Sequence, residues 1–117
     1  MLAGSSNPLQ NIVVLTEPYL GKRQNGGFNR KWSVNHIGPE SRALIVAPRG
    51  LATKLSQQSS KDTAFDVIEM AQFNFILGCV YVADGVMDKD LWNSRLTELR
   101  SINSNILILA DTNAHIH

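Results

Sequence analysis

The pattern that most limits how this chain folds is an apolar run, a helical period and a second apolar run in direct succession. Residues 73–83 are apolar almost throughout, as an inner strand is. From residue 87 to about 102 the period changes. Met87, Leu91, Trp92, Leu96, Leu99 and Ile102 fall on one broad helical face, with Lys89, Asp90, Arg95 and Glu98 largely off it. Asp88 suits the N-cap of that helix, and residues 101–103 suit its exit. Residues 106–109, Ile-Leu-Ile-Leu, then read as a short strand buried on both faces. Strand, helix and strand in this order predict a right-handed βαβ crossover with its two strands parallel.

The second strand ends in Ala110-Asp111-Thr112-Asn113, which puts an acid and an amide where the chain leaves the core. In α/β proteins the carboxyl ends of the strands are where ligands and reacting groups gather. Two residues apart in extended chain, Asp111 and Asn113 point to the same face.

Earlier elements are shorter. Residues 11–16 hold Ile12-Val13-Val14-Leu15, a β-branched strand closed by Glu17-Pro18. Residues 21–31 form a Gly- and Asn-bearing loop, 43–47 a second apolar strand, and 50–60 a polar loop or short helix. Residues 64–70 and 73–83 read as a hairpin closed at Ala71-Gln72. Residues 1–10 are an irregular terminus. At 117 residues the chain is one domain with one core. With 44% hydrophobic and 18% charged residues it is globular rather than disordered. The net charge of +1 gives no global pull toward nucleic acid or membrane, so phosphate affinity has to come from a local cluster. The longest apolar run is about half of the roughly 20 residues a membrane helix needs, so no membrane partner and an intracellular place are expected. Cys79, the lone cysteine, reads as a small buried hydrophobe in a reduced compartment.

Glu17 and Asp111 each follow an apolar run, so two strand ends each deliver an acid. Carboxylates from different strands are what an oxygen-loving cation such as Mg²⁺ requires, although Glu17 taken alone is equally a solvated strand-end acid. A neutral amide such as Asn113 can hold a phosphoryl oxygen without like-charge repulsion, while a carboxylate orients or deprotonates water. Tyr81, at the end of its run, either donates to a phosphate or is core with its hydroxyl satisfied. Lys22, Arg23, Arg30 and Lys31 place four positive charges and no acid in one loop beside Trp32, a composition suited to a nucleic-acid backbone. His115 and His117 alternate but lack further soft ligands, which argues against zinc.

In order, Thr16-Glu17-Pro18-Tyr19, Ser41-Arg42-Ala43-Leu44-Ile45-Val46, Gly78-Cys79-Val80-Tyr81-Val82 and Ala110-Asp111-Thr112-Asn113-Ala114-His115 resemble a known series. The series resembles the endonuclease domain of non-LTR (LINE-type) retrotransposon polyproteins, within the endonuclease/exonuclease/phosphatase superfamily. It covers nearly the whole chain from about residue 11. The resemblance implies that Glu17 is a Mg²⁺ (or Mn²⁺) ligand and that Tyr81 contacts the scissile phosphate. It implies that Asp111 positions or deprotonates the attacking water and that Asn113 holds the phosphate. The implied reaction is metal-dependent hydrolysis of a DNA phosphodiester, leaving a 3′-hydroxyl that primes reverse transcription, and a nuclear place. Tyr19 and His115 match the pattern without an assigned role.

Three positions depart from the series: Ala110 and Thr112 stand for Gly and Phe, and Thr16 for Gln. The family's first strand and its second half have no counterpart here, so the resemblance implies a domain truncated at both ends. The expected fold is α/β, a partial four-layer sandwich: one mixed sheet with a crossover helix, the second half missing. A bare apolar sheet face is then expected, and with it self-association or a partner half within a polyprotein. The alternatives are a non-catalytic α/β nucleic-acid-binding or interaction module, and a small-substrate phosphoesterase of the same superfamily. The basic loop at 22–31 disfavours the phosphoesterase.

Overall fold

Strand β6 (Asn74–Tyr81) leads, after a connection, into helix α1 (Lys89–Ile102), which leads into strand β7 (Ile106–Asp111). The computed structural model describes residues 12–16, 31–35, 40–82 and 88–111. Within these, β6 and β7 are parallel, in register from Ile76 opposite Ile106 to Tyr81 opposite Asp111. The crossover expected from the apolar–helical–apolar pattern is present. Asp88 is the N-cap of α1, its carboxylate accepting from the Leu91 amide at 3.1 Å. Met87 lies outside the described residues. The buried face of α1 is narrower than its apolar positions suggest: Leu99 is buried, Trp92 and Leu96 pack beside it, and Leu91 and Ile102 are exposed.

Strand β5 (Thr63–Glu69) pairs antiparallel with β6 through the hairpin at residues 70–73, where the Met70 amide donates to the Phe73 carbonyl. A three-residue strand β4 (Ala52–Lys54) completes a mixed sheet in the order β4-β5-β6-β7. A second sheet, in the order β1-β3-β2, is wholly antiparallel and consists of β1 (Val13–Thr16), β2 (Trp32–Asn35) and β3 (Ala43–Pro48). Neither β2 nor β4 was foreseen; at four and three residues they are too short to show a period. The chain passes from one sheet to the other immediately after β3. There Gly50 takes φ +93°, open to glycine at little cost, and the Leu51 amide returns to the Pro48 carbonyl.

The two sheets pack face to face. Ala43 and Ile45 of β3 meet Ala64 and Ile68 of β5 and Leu77 and Cys79 of β6, with Val14 of β1 alongside. On the opposite face of the mixed sheet, Phe65, Ile76, Val80 and Val82 meet Leu99 of α1. Each large apolar side chain buried in this way contributes about 1.5–3 kcal/mol. The partial α/β sandwich is thus present, and the three-stranded sheet covers β5 and β6 on the face that the single-sheet reading leaves bare. That removes most of the stated reason to expect self-association. β7 is not buried on both faces: among the described residues it pairs only with β6, and Leu107 and Leu109 are about half exposed.

One polar tie crosses the core. Asn35 of β2 donates through Nδ2 to Asp66 Oδ1 at 2.6 Å and to the Phe65 carbonyl at 2.9 Å, and both side chains are buried. Burial pushes the Asp66 carboxyl from 3.8 to about 6, against the opposing pull of the Asn35 hydrogen bond and of Lys54 across the strand pair. The folded state therefore keeps a proton between pH 3.8 and about 6 that the unfolded chain releases. Stability contributed by this group is fully present below the lower value and declines as pH rises through the window, by about 3 kcal/mol in all. Urea unfolding across pH 4 to 7 is expected to show that decline, and Asp66→Asn is expected to flatten it. An unchanged slope in the variant would assign the pH dependence elsewhere.

Gly78 lies opposite Phe65, and a Cβ there would stand 2.5 Å from Phe65 Cε1 and 3.2 Å from Ile108 Cγ1. The ring occupies the space a side chain would need. Gly78→Ala is expected to lose about 1–3 kcal/mol on urea unfolding, the usual cost of overpacking. A variant as stable as the parent would mean that the Phe65 ring moves aside freely.

Candidate active site

The strand ends converge at one edge of the sandwich. Tyr81 is the last residue of β6 and Asp111 the last of β7, side by side in the parallel register. The Val82 amide donates to the Asp111 carbonyl at 2.8 Å, so pairing continues to the very end of β7. From the facing sheet, Thr16, the last residue of β1, donates its hydroxyl to Asp111 Oδ2 at 2.9 Å. Register explains the meeting: Thr16 is paired with Ala43 at the start of β3, and Ala43 packs on the same inner face of the mixed sheet that bears Asp111 and Tyr81.

A second cluster adjoins the first. Arg42, just before β3, grips Asp62, just before β5, through Nε at 2.6 Å and Nη2 at 2.8 Å. The same guanidinium lies 5.0 Å from the centre of the Tyr81 ring, within cation–π range. The Asp62 carbonyl also accepts from the Tyr81 amide at 2.8 Å, so Tyr81 is fixed by backbone and by ring. Its residue exposure is only 7%. A cleft of about 290 Å³ opens beside these groups, bordered by Ser60, Asp62 and Tyr81 on the strand side and by Asp88, Trp92 and Arg95 of the helix.

Of the residues singled out from the sequence, the structure brings Asp111 and Tyr81 together. Glu17 follows Thr16 directly in the chain but lies outside the described residues, as do Asn113, Tyr19, His115, Lys22, Arg23 and Arg30. Lys31 is described: it is exposed and enters β2 opposite the end of β3, its carbonyl accepting from the Arg49 amide. That is the far end of the sheet from Asp111, about 20 Å along the strand direction at ordinary strand rise. Cys79 is buried and free, with its Sγ 3.3 Å from the Leu15 carbonyl, and burial pushes its thiol upward, away from the reactive thiolate. Thr16, Arg42 and Asp62 were not singled out as site residues. Arg42 belongs to a quoted motif, but nothing in the order of residues links it to Asp62 or Thr16 to Asp111, because these contacts are made by sheet packing.

No family model matches the chain, and no curated protein matches it in sequence. Among solved structures, the fold matches the endonuclease domain of TRAS1, a telomere-specific non-LTR retrotransposon, with a TM-score of 0.64 over 91% of this chain. The chain has the fold of a retrotransposon endonuclease domain. Sequence identity to that domain is 14%, so the likeness is one of fold, and the chain spans 48% of the matched structure's length. The ordered motifs and the matched fold lead to the same kind of domain by separate routes. Among the described residues, no helix is long and apolar enough to cross a membrane.

The Arg42–Asp62 pair has bidentate geometry with both side chains about one-third exposed. A double-mutant cycle with Arg42→Gln and Asp62→Asn is expected to give a coupling of about 1 kcal/mol in unfolding free energy, above the typical exposed pair because two parallel bonds form. Additive single effects would remove the pair from any role in holding Tyr81.

Proposed function

We propose that this chain is part of a Mg²⁺-dependent DNA endonuclease of the non-LTR retrotransposon kind, one segment of a longer polyprotein acting in the nucleus. The observation that carries the reading is the convergence of Asp111, Tyr81 and Thr16, next to Glu17 in the chain, at the strand-end edge of a sandwich with that fold. The donor suits the metal. The Glu17 carboxylate, next in the chain after Thr16, is a hard oxygen group fit for Mg²⁺ or Mn²⁺ rather than zinc. Among the described residues there is no group of three or more metal-ligating side chains, so Glu17 is the ligand on which the proposal depends. When bound, the cation would supply charge stabilisation at a phosphoryl oxygen.

The protein groups divide the remaining work. Asp111 orients a water molecule and takes its proton as the oxygen adds to phosphorus. Asn113 and the Tyr81 hydroxyl donate to the non-bridging oxygens as negative charge builds there. The bond from phosphorus to the 3′-oxygen breaks, the water oxygen stays on the resulting 5′-phosphate, and the 3′-oxygen takes a proton from solvent to become the 3′-hydroxyl from which reverse transcription would be primed. Lys22, Arg23, Arg30 and Lys31 hold the DNA backbone, Lys31 doing so from the far end of its sheet, away from the cut.

A second reading is a non-catalytic nucleic-acid-binding module. The observation in its favour is the burial of Tyr81 beneath Arg42, which leaves the phenol little surface to offer a phosphate. Nicking of supercoiled plasmid separates the two. The chain with Mg²⁺ is expected to convert plasmid to open circles slowly, since it spans about half of the matched domain, and Asp111→Ala is expected to lower the rate at least 100-fold. Absence of nicking, together with salt-sensitive DNA binding weakened by Arg23→Ala and Lys31→Ala, would overturn the nuclease reading in favour of the binding module.

A further inference from the structure

We infer that the cleft between the strand ends and the start of α1 is a nucleobase site, taking one unpaired, amino-bearing base of the DNA. The inference rests on the nuclease reading for the identity of the strand and on the lining of the cleft for the chemistry of its ligand.

The cleft borders Tyr81, which stands beside Asp111 in the parallel register. A strand whose phosphate lies at that edge therefore carries a base within reach of the cleft. The space, about 290 Å³, is at the small end of ligand sites, which run from roughly 300 Å³ upward. That suits one planar base better than a folded peptide. Trp92 supplies an aromatic side: half-buried, it packs on the cluster around Leu99 and also borders the cleft.

The polar groups around the cleft are not equivalent. Asp62 is held by Arg42 through both oxygens, and Arg95 lies 3.4 Å from Glu98 and 3.3 Å from the Gln57 carbonyl. Ser60 and Thr63 hydrogen-bond each other at 2.8 Å. Asp88 differs. Its Oδ1 accepts from the Leu91 amide at 3.1 Å, which leaves Oδ2 without a partner among the described residues. An uncompensated carboxylate repels a phosphate and favours an N–H donor. The exocyclic amino groups of cytosine and adenine are such donors; acidic side chains accept from cytosine N4, and thymine has no amino group to offer. An aromatic side chain beside an open acceptor is the pairing with which proteins hold an unstacked base.

The test titrates the chain with short single-stranded oligo(dC), oligo(dT) and an abasic strand of equal length, in EDTA so that no cutting intervenes. Binding is followed by tryptophan emission in a Trp32→Phe background. The chain has two tryptophans, and Trp32 packs on Leu44 and Val46 of the other sheet, so the emission then reports Trp92 alone. Oligo(dC) is expected to quench it saturably and to bind about 5-fold or more tighter than oligo(dT), and the abasic strand to leave it unchanged. Asp88→Asn keeps an N-cap of equal rank but puts an amide donor where the open acceptor was, and is expected to abolish the preference for dC. Trp92→Leu, read by anisotropy of a labelled strand, is expected to weaken oligo(dC) about 5-fold or more with the abasic strand unaffected. Should that variant fail to fold, Asp88→Asn decides. No quenching by oligo(dC), equal binding of the three strands, or a preference for dC that survives Asp88→Asn overturns the inference. A chain that never nicks plasmid overturns the proposed function instead, and the titration, made without metal, still decides what the cleft binds.

Discussion

Strand β6 has no solvent side, and that constraint organises the molecule. Its inner face, through Leu77 and Cys79, packs on the three-stranded sheet, and its outer face, through Ile76 and Val80, packs under α1. Its two edges are taken by β5 and β7. A strand enclosed on all sides must be apolar at successive positions, which is why residues 75–82 show no alternation. It must also admit its neighbours closely. Gly78 gives up its side chain so that the Phe65 ring can lie across it, filling from β5 the space that β6 leaves.

The candidate site follows from where this enclosed strand ends. Parallel pairing with β7 carries Tyr81 and Asp111 to the same edge, and the facing sheet brings Thr16 and Arg42 to that edge from the other side. Polar groups gather there because the core stops there, and each finds a partner in a neighbouring strand end. Further inside, the Asn35–Asp66 tie shows the opposite situation. A carboxylate taken into the core keeps its proton to about pH 6, because burial costs the charged form more than the Asn35 amide and the Lys54 charge return.

Much of the fold was legible in the sequence, and its legible parts share a cause. The apolar strands β3, β5 and β6, the amphipathic helix with Asp88 at its cap and the parallel return into β7 all rest on local periodicity or local capping. β2 and β4 were not legible, since four and three residues carry no period. The exposure of Leu107 and Leu109 was hidden for a different reason: an apolar run states what a strand prefers and not whether a neighbour is present to cover it. The candidate site was half legible. Asp111 and Tyr81 stand at the ends of their apolar runs and are visible as such. Thr16–Asp111, 95 residues apart, and Arg42–Asp62 exist only because two sheets pack in one register.

The energetic scale of these contacts explains how the fold and the site can vary independently. A hydrogen bond to a charged group contributes about 1.5–3 kcal/mol, no more than one buried leucine or isoleucine. The core between the sheets and beneath α1 contains many such residues, so removal of any single site contact leaves the sandwich intact. Orientation is less forgiving: a carboxylate turned away from its water loses rate steeply, since productive geometry tolerates only a fraction of an ångström. A fold held by interchangeable apolar volume accordingly matches its structural neighbour at 14% identity. In this chain the Thr16 hydroxyl donates to Asp111 from the facing sheet, one contact among strand ends that is small in the stability of the whole.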